Sequence, residues 1–247
     1  MKKIVFLLLS SLFLTAGEIK VALAANVSFA IGDLIKEFKK AHPDTKVEPI
    51  ISGSGKLTAQ IRNHAPFDIF MSANMKYPQA LYHDKLTVDE PKVYAKGSLA
   101  LFSRTKRDFS KGLELVLDES VKKIAVANPK LAPYGKATFE ALKNAKLLDK
   151  VKSKFIYGES IAPTVAYAVK VTDLGFIASS SLYSPKLSKF KPNENYIEVD
   201  SKLYTPISQG IVLLKRSADN KEAKAFYDFI LSKKAKEIFK RYGYIVE

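Results

Sequence analysis

The sequence contains no cysteine and no tryptophan. The absence of cysteine excludes disulfide bonds, thiolate metal sites, cysteine nucleophiles and a lipid anchor attached to a cysteine. Histidine is scarce, with three residues, and this leaves little material for a histidine-based metal site. Arginine is uncommon among the 40 basic side chains. Nucleic-acid readers usually rely on arginine for bidentate contacts to bases, so its scarcity argues against that class.

The 247 residues are 47% apolar and 26% charged, as expected for a soluble globular protein of one or two domains. The net charge is +15, from 40 basic and 25 acidic residues. A balance of this sign suits nucleic acid, an anionic membrane surface or small anions as partners. Because the lysines are spread along the chain, they indicate a solvated surface more than a binding groove.

The N-terminus has the pattern of an export signal. Two lysines precede an apolar run over residues 4–14, and the small residues Thr15-Ala16-Gly17 follow. The run is too short to cross a bilayer as a helix. We therefore predict a cleavable signal peptide over residues 1–17 and export to the periplasm, free of a lipid anchor. Its removal leaves 38 basic and 25 acidic residues, a net charge of +13.

Strands and helices are expected to alternate along the rest of the chain, which indicates an α/β protein with doubly wound sheets. Short apolar runs predict strands, and apolar residues at a spacing of three and four predict helices. The predicted strands are 19–25, 46–51, 68–73, 93–103, 123–127, 155–157, 174–178 and 207–215. The predicted helices are 31–38, 57–64, 75–83, 136–146, 161–169 and 220–242.

Four strand-to-helix turns carry small or polar residues: Ala25-Asn26, Gly53-Ser54-Gly55, Pro133-Tyr134-Gly135 and Glu159-Ser160-Ile161. Helix N-termini present unpaired N–H groups and a partial positive charge, so they suit anions. Two α/β units with such turns facing each other would form an anion clamp. Ordinary helix caps and turns explain the same residues equally well. A P-loop is excluded, because Leu57 follows Lys56 where that motif needs serine or threonine.

The ordered set of segments resembles the periplasmic molybdate-binding proteins of ABC transporters, over about residues 19–244. The resemblance is carried by Val21-Ala22-Leu23-Ala24-Ala25-Asn26, Ser52-Gly53-Ser54-Gly55-Lys56, Gln60-Ile61, Ala65-Pro66-Phe67-Asp68-Ile69-Phe70-Met71-Ser72-Ala73, Ala127-Asn128-Pro129-Lys130-Leu131-Ala132-Pro133-Tyr134-Gly135, Gly158-Glu159-Ser160-Ile161-Ala162, Gly175-Phe176-Ile177-Ala178, Ala225-Phe226-Tyr227-Asp228-Phe229 and Ile238-Phe239-Lys240-Arg241-Tyr242-Gly243-Tyr244.

The resemblance implies a two-lobed periplasmic-binding-protein fold, in which each lobe is a doubly wound mixed sheet flanked by helices. Lobe 1 would comprise residues 18–98 and 205–247, and lobe 2 residues 99–204. Two hinge crossovers, near 97–103 and 199–206, would join them. The implied partners are a molybdate or tungstate ion and the transporter permease in the inner membrane. A monomer is expected, with no cofactor, no enzymatic activity and no nucleic-acid partner.

The site residues that the resemblance implies are Asn26 and Ser54 on lobe 1 and Tyr134 and Ile161 on lobe 2, with the backbones of Ala25 and Gly53 as further donors. The metal would arrive inside its oxyanion, so no side chain would ligate it directly. Some family members have a ligand-binding tyrosine where this chain has Ala178. We therefore assign no ligand role to Ala178 and leave the role of the neighbouring Ser179 open.

Three other classes remain as alternatives. The first is a binding protein for another anion, such as sulfate, phosphate or an iron–anion complex. The second is an exported enzyme with an anion pocket, which no Ser-His-Asp order, metal cluster or spaced carboxylate pair supports. The third is a basic surface or nucleic-acid binder, which only the net charge suggests.

Overall fold

The computed structural model describes residues 17–246 and shows two mixed five-stranded sheets, each covered by helices on both faces. The predicted signal peptide lies outside the described residues, apart from Gly17. The strands are β1 (Glu18–Ala24), β2 (Lys46–Ser52), β3 (Ile69–Met71), β4 (Lys92–Gly97), β5 (Leu99–Phe102), β6 (Ile124–Ala127), β7 (Phe155–Gly158), β8 (Leu174–Ala178), β9 (Tyr196–Glu198) and β10 (Ile207–Leu213).

The α-helices are α1 (Ile31–Phe38), α2 (Ser54–Arg62), α3 (Lys76–His83), α4 (Pro133–Asn144), α5 (Leu148–Val151), α6 (Ile161–Lys170), α7 (Lys221–Ile230) and α8 (Lys233–Arg241). Short 3-10 helices follow β1 (Ala25–Phe29) and β8 (Ser179–Tyr183), and a longer 3-10 segment covers Phe109–Leu117. Within residues 17–246, no helix is both long enough and apolar enough to span a bilayer.

The first sheet has the strand order β2-β1-β3-β10-β4, in which β1 is parallel to β2 and β3, and β10 is antiparallel to its neighbours. Strand β1 is apolar from Val21 to Ala24, where both of its faces are covered. Val21 and Leu23 pack with the helices α1, α7 and α8, whereas Ala22 packs on the opposite face with Leu57 of α2. We call this sheet with its helices lobe 1.

The second sheet has the order β7-β6-β8-β5-β9, with β6 parallel to β7 and β8, and β5 antiparallel to β8 and β9. Leu101 and Val126 pack on one face against α4, and Ala125 packs on the other face against Ala168 of α6. We call this sheet with its helices lobe 2. The predicted fold class, two mixed α/β sheets in a two-lobed arrangement, is confirmed.

The structure corrects the prediction of one long strand over 93–103. Strand β4 ends at Gly97 in the first sheet, and β5 begins at Leu99 in the second. The intervening Ser98 accepts a hydrogen bond at its carbonyl oxygen from the Ser179 N–H at 2.9 Å. The chain therefore changes sheet within one residue, although the apolar pattern continues through the break.

The predicted single helix over 220–242 is likewise two helices. Helix α7 ends at Ile230, and Ser232 takes an extended conformation before α8. The Ser232 hydroxyl oxygen accepts a hydrogen bond from the Ala235 N–H at 3.3 Å, which caps the new helix. The helix predicted over 136–146 begins three residues earlier, at Pro133, and this change places Tyr134 in its first turn.

Candidate functional site

The carboxyl ends of the central parallel strands of both lobes meet at one small cavity. In lobe 1, Ala24 at the end of β1 pairs with Ser52 at the end of β2. In lobe 2, Ala127 at the end of β6 pairs with Gly158 at the end of β7. The turns that leave these strands supply the lining, as expected for open α/β sheets. The residues that line the cavity are Ala24, Ala25, Asn26, Gly53, Ser54, Ala73, Ala132, Pro133, Tyr134, Ser160 and Ile161.

All six residues predicted as ligand contacts, namely Ala25, Asn26, Gly53, Ser54, Tyr134 and Ile161, belong to this lining. Their contact with a ligand stays a prediction. Ala178 is buried at the end of β8. The Ser179 hydroxyl donates to the Glu198 carboxylate at 2.9 Å. Glu159 is exposed.

Two of the three hydroxyl groups of the lining, those of Ser54 and Tyr134, are held so that their protons stay available. Ser54 Oγ accepts a hydrogen bond from the Ala73 N–H at 3.0 Å. Tyr134 Oη accepts one from Gln209 Nε2 at 3.3 Å. A hydroxyl that already accepts a structural bond can direct its own proton elsewhere. Both side chains are therefore prepared to act as hydrogen-bond donors to a ligand in the cavity.

Burial keeps the Tyr134 proton in place. The side chain is 1% exposed, and burial raises its pKa well above the usual value for tyrosine. The nearby Tyr244 and Tyr204 hydroxyls raise the pKa further, and the hydrogen bond from Gln209 lowers it. At neutral pH the Tyr134 hydroxyl is thus neutral and remains a donor.

Three helices begin at the cavity without a side-chain cap. Their N-cap residues are Gly53 for α2, Ala132 for α4 and Ser160 for α6, and none of these side chains bonds to the first turn. By contrast, Asn220 caps α7 through its side chain. No side-chain cap therefore blocks the first-turn N–H groups at the cavity, although Pro133 of α4 and Pro163 of α6 carry none. Each N-terminus contributes a partial positive charge.

Two glycines permit the close approach of the parts of this site. A Cβ on Gly53 would lie 3.3 Å from the Ser160 Cβ of the other lobe. A Cβ on Gly97 would collide with Tyr134 Oη and would lie 2.7 Å from Gln209 Nε2. Gly97 stands at the end of β4, next to the passage between sheets. Its missing side chain is what allows Tyr134 of lobe 2 to reach lobe 1.

The cavity is small and uncharged. Its volume is about 10 Å³ when only the space open to the centre of a water-sized sphere is counted, which is far too small for an organic solute. None of the lining residues carries a formal charge. Among residues 17–246, no group of three or more His, Asp or Glu side chains could hold a metal ion. A larger groove of about 610 Å³ lies outside it, shares Ala25, Gly53 and Ser160, and includes the exposed Lys56 and Glu159.

A buried polar network behind the cavity was missed by sequence reasoning. Asn26 Nδ2 donates to Gln209 Oε1 at 2.8 Å and to Tyr244 Oη at 3.0 Å. Tyr94 Oη donates to Gln209 Oε1 at 2.7 Å. Tyr244 Oη donates to the Asn26 carbonyl oxygen at 2.9 Å. The only local signal was Gln209 itself, a polar side chain within the apolar run of β10.

The lobes contact each other directly across the cleft. Tyr77 Oη, at the start of α3, donates to the Leu131 carbonyl oxygen of lobe 2 at 3.2 Å. The Ser180 hydroxyl of lobe 2 donates to the Asn26 carbonyl oxygen at 3.1 Å. Together with the Gln209–Tyr134 bond, these contacts hold the cavity between closed lobes.

Comparison with known proteins agrees with this architecture. Residues 19–245 match the family described as bacterial extracellular solute-binding proteins. The chain is 35% identical to the molybdate-binding protein ModA of Azotobacter vinelandii, with 93% of this chain and 90% of that protein covered. It is 34% identical to the ModA protein of Rhodobacter capsulatus, with coverages of 94% and 90%.

A solved structure shows the same fold. The periplasmic molybdate-binding protein of Azotobacter vinelandii superposes with a TM-score of 0.86 at 27% identity, covering 93% of this chain and 99% of that chain. The match spans both lobes and therefore the cavity between them. From these sequence and structural matches, the chain belongs to the family of bacterial extracellular solute-binding proteins.

Proposed function

We propose that this protein captures a tetrahedral oxyanion, molybdate or tungstate, in the cavity between its lobes and delivers it to the permease of an ABC transporter. The observation that carries the proposal is the lining itself: neutral hydrogen-bond donors and three helix N-termini without side-chain caps around a small space between the lobes. The oxyanion is the cargo and not a cofactor, and the protein acts as a binding protein rather than as an enzyme. Relatives at 34–35% identity are named as molybdate-binding proteins, which supports this choice.

The donors in the lining explain why an oxyanion without protons is the preferred ligand. A dianion loses a large hydration energy on burial, so donors must replace the water. The Ser54 and Tyr134 hydroxyls and the N–H groups at Ala25, Gly53 and Ile161 provide them, and the Asn26 amide adds to them when its Nδ2 faces the ligand. A ligand that carries a proton would bury an unpaired O–H. Molybdate and tungstate, with longer metal–oxygen bonds than the S–O bonds of sulfate, are selected by size.

A second candidate is a binding protein for an oxyanion that retains a proton, such as hydrogen phosphate. One observation favours it: within residues 17–246, the buried Asn26 Oδ1 has no hydrogen-bond partner. In that orientation the amide oxygen would accept a hydrogen bond from an O–H group of the ligand.

The lobe boundaries follow the sheets. Lobe 1 comprises residues 18–98 and 205–247, and lobe 2 comprises residues 99–204, after removal of the signal peptide over 1–17. The positions of β4 and β5 and of β9 and β10 support these boundaries. Closure of the lobes buries the ligand and completes the face that docks onto the permease in the inner membrane. The protein works in the periplasm as a monomer.

Calorimetric titration of residues 18–247 with molybdate, tungstate, sulfate and phosphate tests the proposal. We expect one-to-one binding of molybdate and tungstate, and no heat with sulfate or phosphate. Binding of phosphate alone would replace the proposal by the second candidate. No binding of any of the four ions would refute the proposed function.

A further inference from the structure

Gln209 links the two sides of the cavity although it is not part of the lining. It lies on β10 of lobe 1, is fully buried, and is followed by a shift in the pairing with β4. Its side-chain oxygen accepts hydrogen bonds from Asn26 and Tyr94, and its side-chain nitrogen donates to Tyr134 of lobe 2. One amide group therefore contacts ligand-facing residues from both lobes.

The orientation of Gln209 determines what Asn26 and Tyr134 present to the cavity. Because Gln209 Oε1 binds Asn26 Nδ2 at 2.8 Å, the Asn26 Oδ1 end of the amide is the one left without a partner among the described residues. Because Gln209 Nε2 donates to Tyr134 Oη at 3.3 Å, the Tyr134 proton is left for a ligand. The observed arrangement thus combines an acceptor on Asn26 with a donor on Tyr134.

An oxyanion without protons needs the opposite end of the Asn26 amide. The two ends of an amide have nearly the same shape, so a half-turn changes the hydrogen bonds and not the packing. If Asn26 turned alone, its Oδ1 would face Gln209 Oε1, and two acceptors would meet with no proton between them. If Gln209 also turns, Gln209 Nε2 donates to Asn26 Oδ1, and Asn26 Nδ2 is released toward the ligand.

The surroundings of Gln209 can accept this joint turn. Tyr94 Oη lies 3.3 Å from the Ser72 carbonyl oxygen, a second acceptor already in reach. Tyr94 can then donate to Ser72 and accept from the turned Gln209 Nε2. Tyr134 donates a three-centre hydrogen bond, with its one proton between Gln209 Oε1 and the ligand. The turn gives up the bond from Asn26 Nδ2 to Tyr244 Oη. Tyr244 can then donate to Asn26 Oδ1, because Ser180 still donates to the Asn26 carbonyl oxygen.

We propose that Gln209 is a positioning residue of the oxyanion site, and that its amide turns together with that of Asn26 to select oxyanions that carry no proton. This inference rests on the proposed function. In this inference Gln209, which lies outside the lining, determines whether Asn26 presents a donor or an acceptor to the cavity. The inference also explains why a glutamine is buried in a strand whose other buried side chains are apolar, where an unsatisfied polar group would be costly.

Gln209→Glu tests the inference because a carboxylate can only accept hydrogen bonds. The introduced carboxylate would hold Asn26 Nδ2 and the Tyr134 proton, so both donors would be withdrawn from the ligand. Losing two hydrogen bonds to a charged ligand corresponds to a fall in molybdate affinity of roughly 100-fold or more at about pH 8. When the buried carboxyl takes up a proton, it can donate again, so we expect the loss to shrink at least about threefold at about pH 6.

Two further variants separate positioning from packing. Gln209→Met keeps the length of the side chain without hydrogen bonds, and we expect a loss of about tenfold that does not depend on pH. Gln79→Glu makes the same change of charge on the exposed face of α3, and we expect wild-type affinity. Calorimetry gives the dissociation constants for molybdate, and thermal unfolding without ligand checks that each variant folds.

The titratable groups around Gln209 do not account for the expected pH dependence of molybdate affinity in Gln209→Glu. Tyr94, Tyr134 and Tyr244 have pKa values that burial raises, so they stay protonated in this range. Burial also raises the pKa of Glu198, which is near Tyr134. Lys96 lies on β4 next to the residue that pairs with Gln209. These groups are common to all variants, so each is compared with the wild type at the same pH.

Two results would overturn the inference while the wild type still binds molybdate. One is a Gln209→Glu affinity within threefold of the wild type at about pH 8, well below the loss expected for two hydrogen bonds. The other is a loss that is equal in Gln209→Glu and Gln209→Met and unchanged by pH, which packing alone would explain. If the wild type binds none of the oxyanions, the proposed function fails, and the inference fails with it.

Discussion

Replacing Tyr134 by phenylalanine removes one hydroxyl group from the cavity and leaves the buried ring in place. The ring is 1% exposed in the first turn of α4, so its packing is retained. The hydroxyl oxygen accepts from Gln209 Nε2 at 3.3 Å, which leaves its proton for the ligand. A hydrogen bond to a charged group contributes about 1.5–3 kcal/mol. Tyr134→Phe should therefore weaken molybdate binding about 10- to 150-fold.

The ligand-free protein should lose about 1–3 kcal/mol of stability in the same variant, because the fully buried Gln209 Nε2 loses its acceptor. The lost Gln209–Tyr134 bond joins the two lobes and is long, at 3.3 Å. Calorimetric titration gives the affinity, and thermal unfolding without ligand gives the stability. Tyr157→Phe is the matched control, because it removes the same hydroxyl from a side chain on β7 of the same lobe that is 48% exposed. We expect this control to bind as the wild type does.

The reasoning would be refuted by a Tyr134→Phe protein that binds molybdate within about twofold of the wild type, since a lost bond to a charged ligand costs more than that. A second contrary result is an equal loss in Tyr157→Phe, which would show that the effect does not arise in the cavity.

Ser54→Ala should weaken molybdate binding by roughly 1.5–3 kcal/mol in calorimetry, because its hydroxyl accepts from the Ala73 N–H and directs its proton to the cavity; unchanged affinity in this variant would contradict the assignment. Gly97→Ala should abolish tight binding with the lobe sheets intact by circular dichroism, because the added Cβ collides with Tyr134 Oη. Burial raises the pKa of Tyr94 well above its value in the unfolded chain, so the folded state keeps a proton that the unfolded state loses above about pH 10. Urea unfolding should therefore show that the free energy of unfolding falls as pH rises past about 10. In Tyr94→Phe the slope of this fall should be shallower by up to about 1.4 kcal/mol per pH unit. Equal slopes in the two proteins would contradict this.

Most of the elements were predictable because their burial is regular. Strand β1 is apolar from Val21 to Ala24 since both faces are covered there, and the apolar residues of α1 recur at helical spacing. The passage from β4 to β5 was not predictable in the same way. Residues on both sides of Ser98 are buried strand residues, so no local pattern marks the change of sheet. That change depends on pairing partners far along the chain.

The break between α7 and α8 shows a similar limit. Ser232 is a common cap residue, but the apolar face continues from Phe226 to Phe239 across it. Both helices pack on the same cluster of lobe 1, so the periodicity alone does not separate them. Here tertiary packing allowed two short helices where the pattern indicated one long helix.

The residues at the cavity were predictable to the extent that they begin helices. Small and polar residues after strands located the turns at Ser54, Tyr134 and Ile161, while the ligand roles assigned to these residues depended on the family resemblance. The hydrogen-bond network behind the cavity could not be predicted from the sequence, because Asn26 and Gln209 are 183 positions apart and Asn26 and Tyr244 are 218 apart. A polar residue within an apolar strand was the one local indication, and it does not name its partner.

A dianion in this cavity would be balanced by dipoles rather than by charged side chains. Each of the helices α2, α4 and α6 contributes about half an elementary charge at its N-terminus, so together they approach the charge of the ligand. These dipoles are fixed by the fold and need little reorganisation when the ligand enters. The net charge of +13 that remains without the predicted signal peptide lies outside the lining and attracts any anion toward the protein. Under the proposed function, attraction at the surface and selection in the cavity would therefore be separate. The lysines would raise the encounter rate for anions in general, and the oriented hydroxyl, amide and N–H groups would decide which anion is retained.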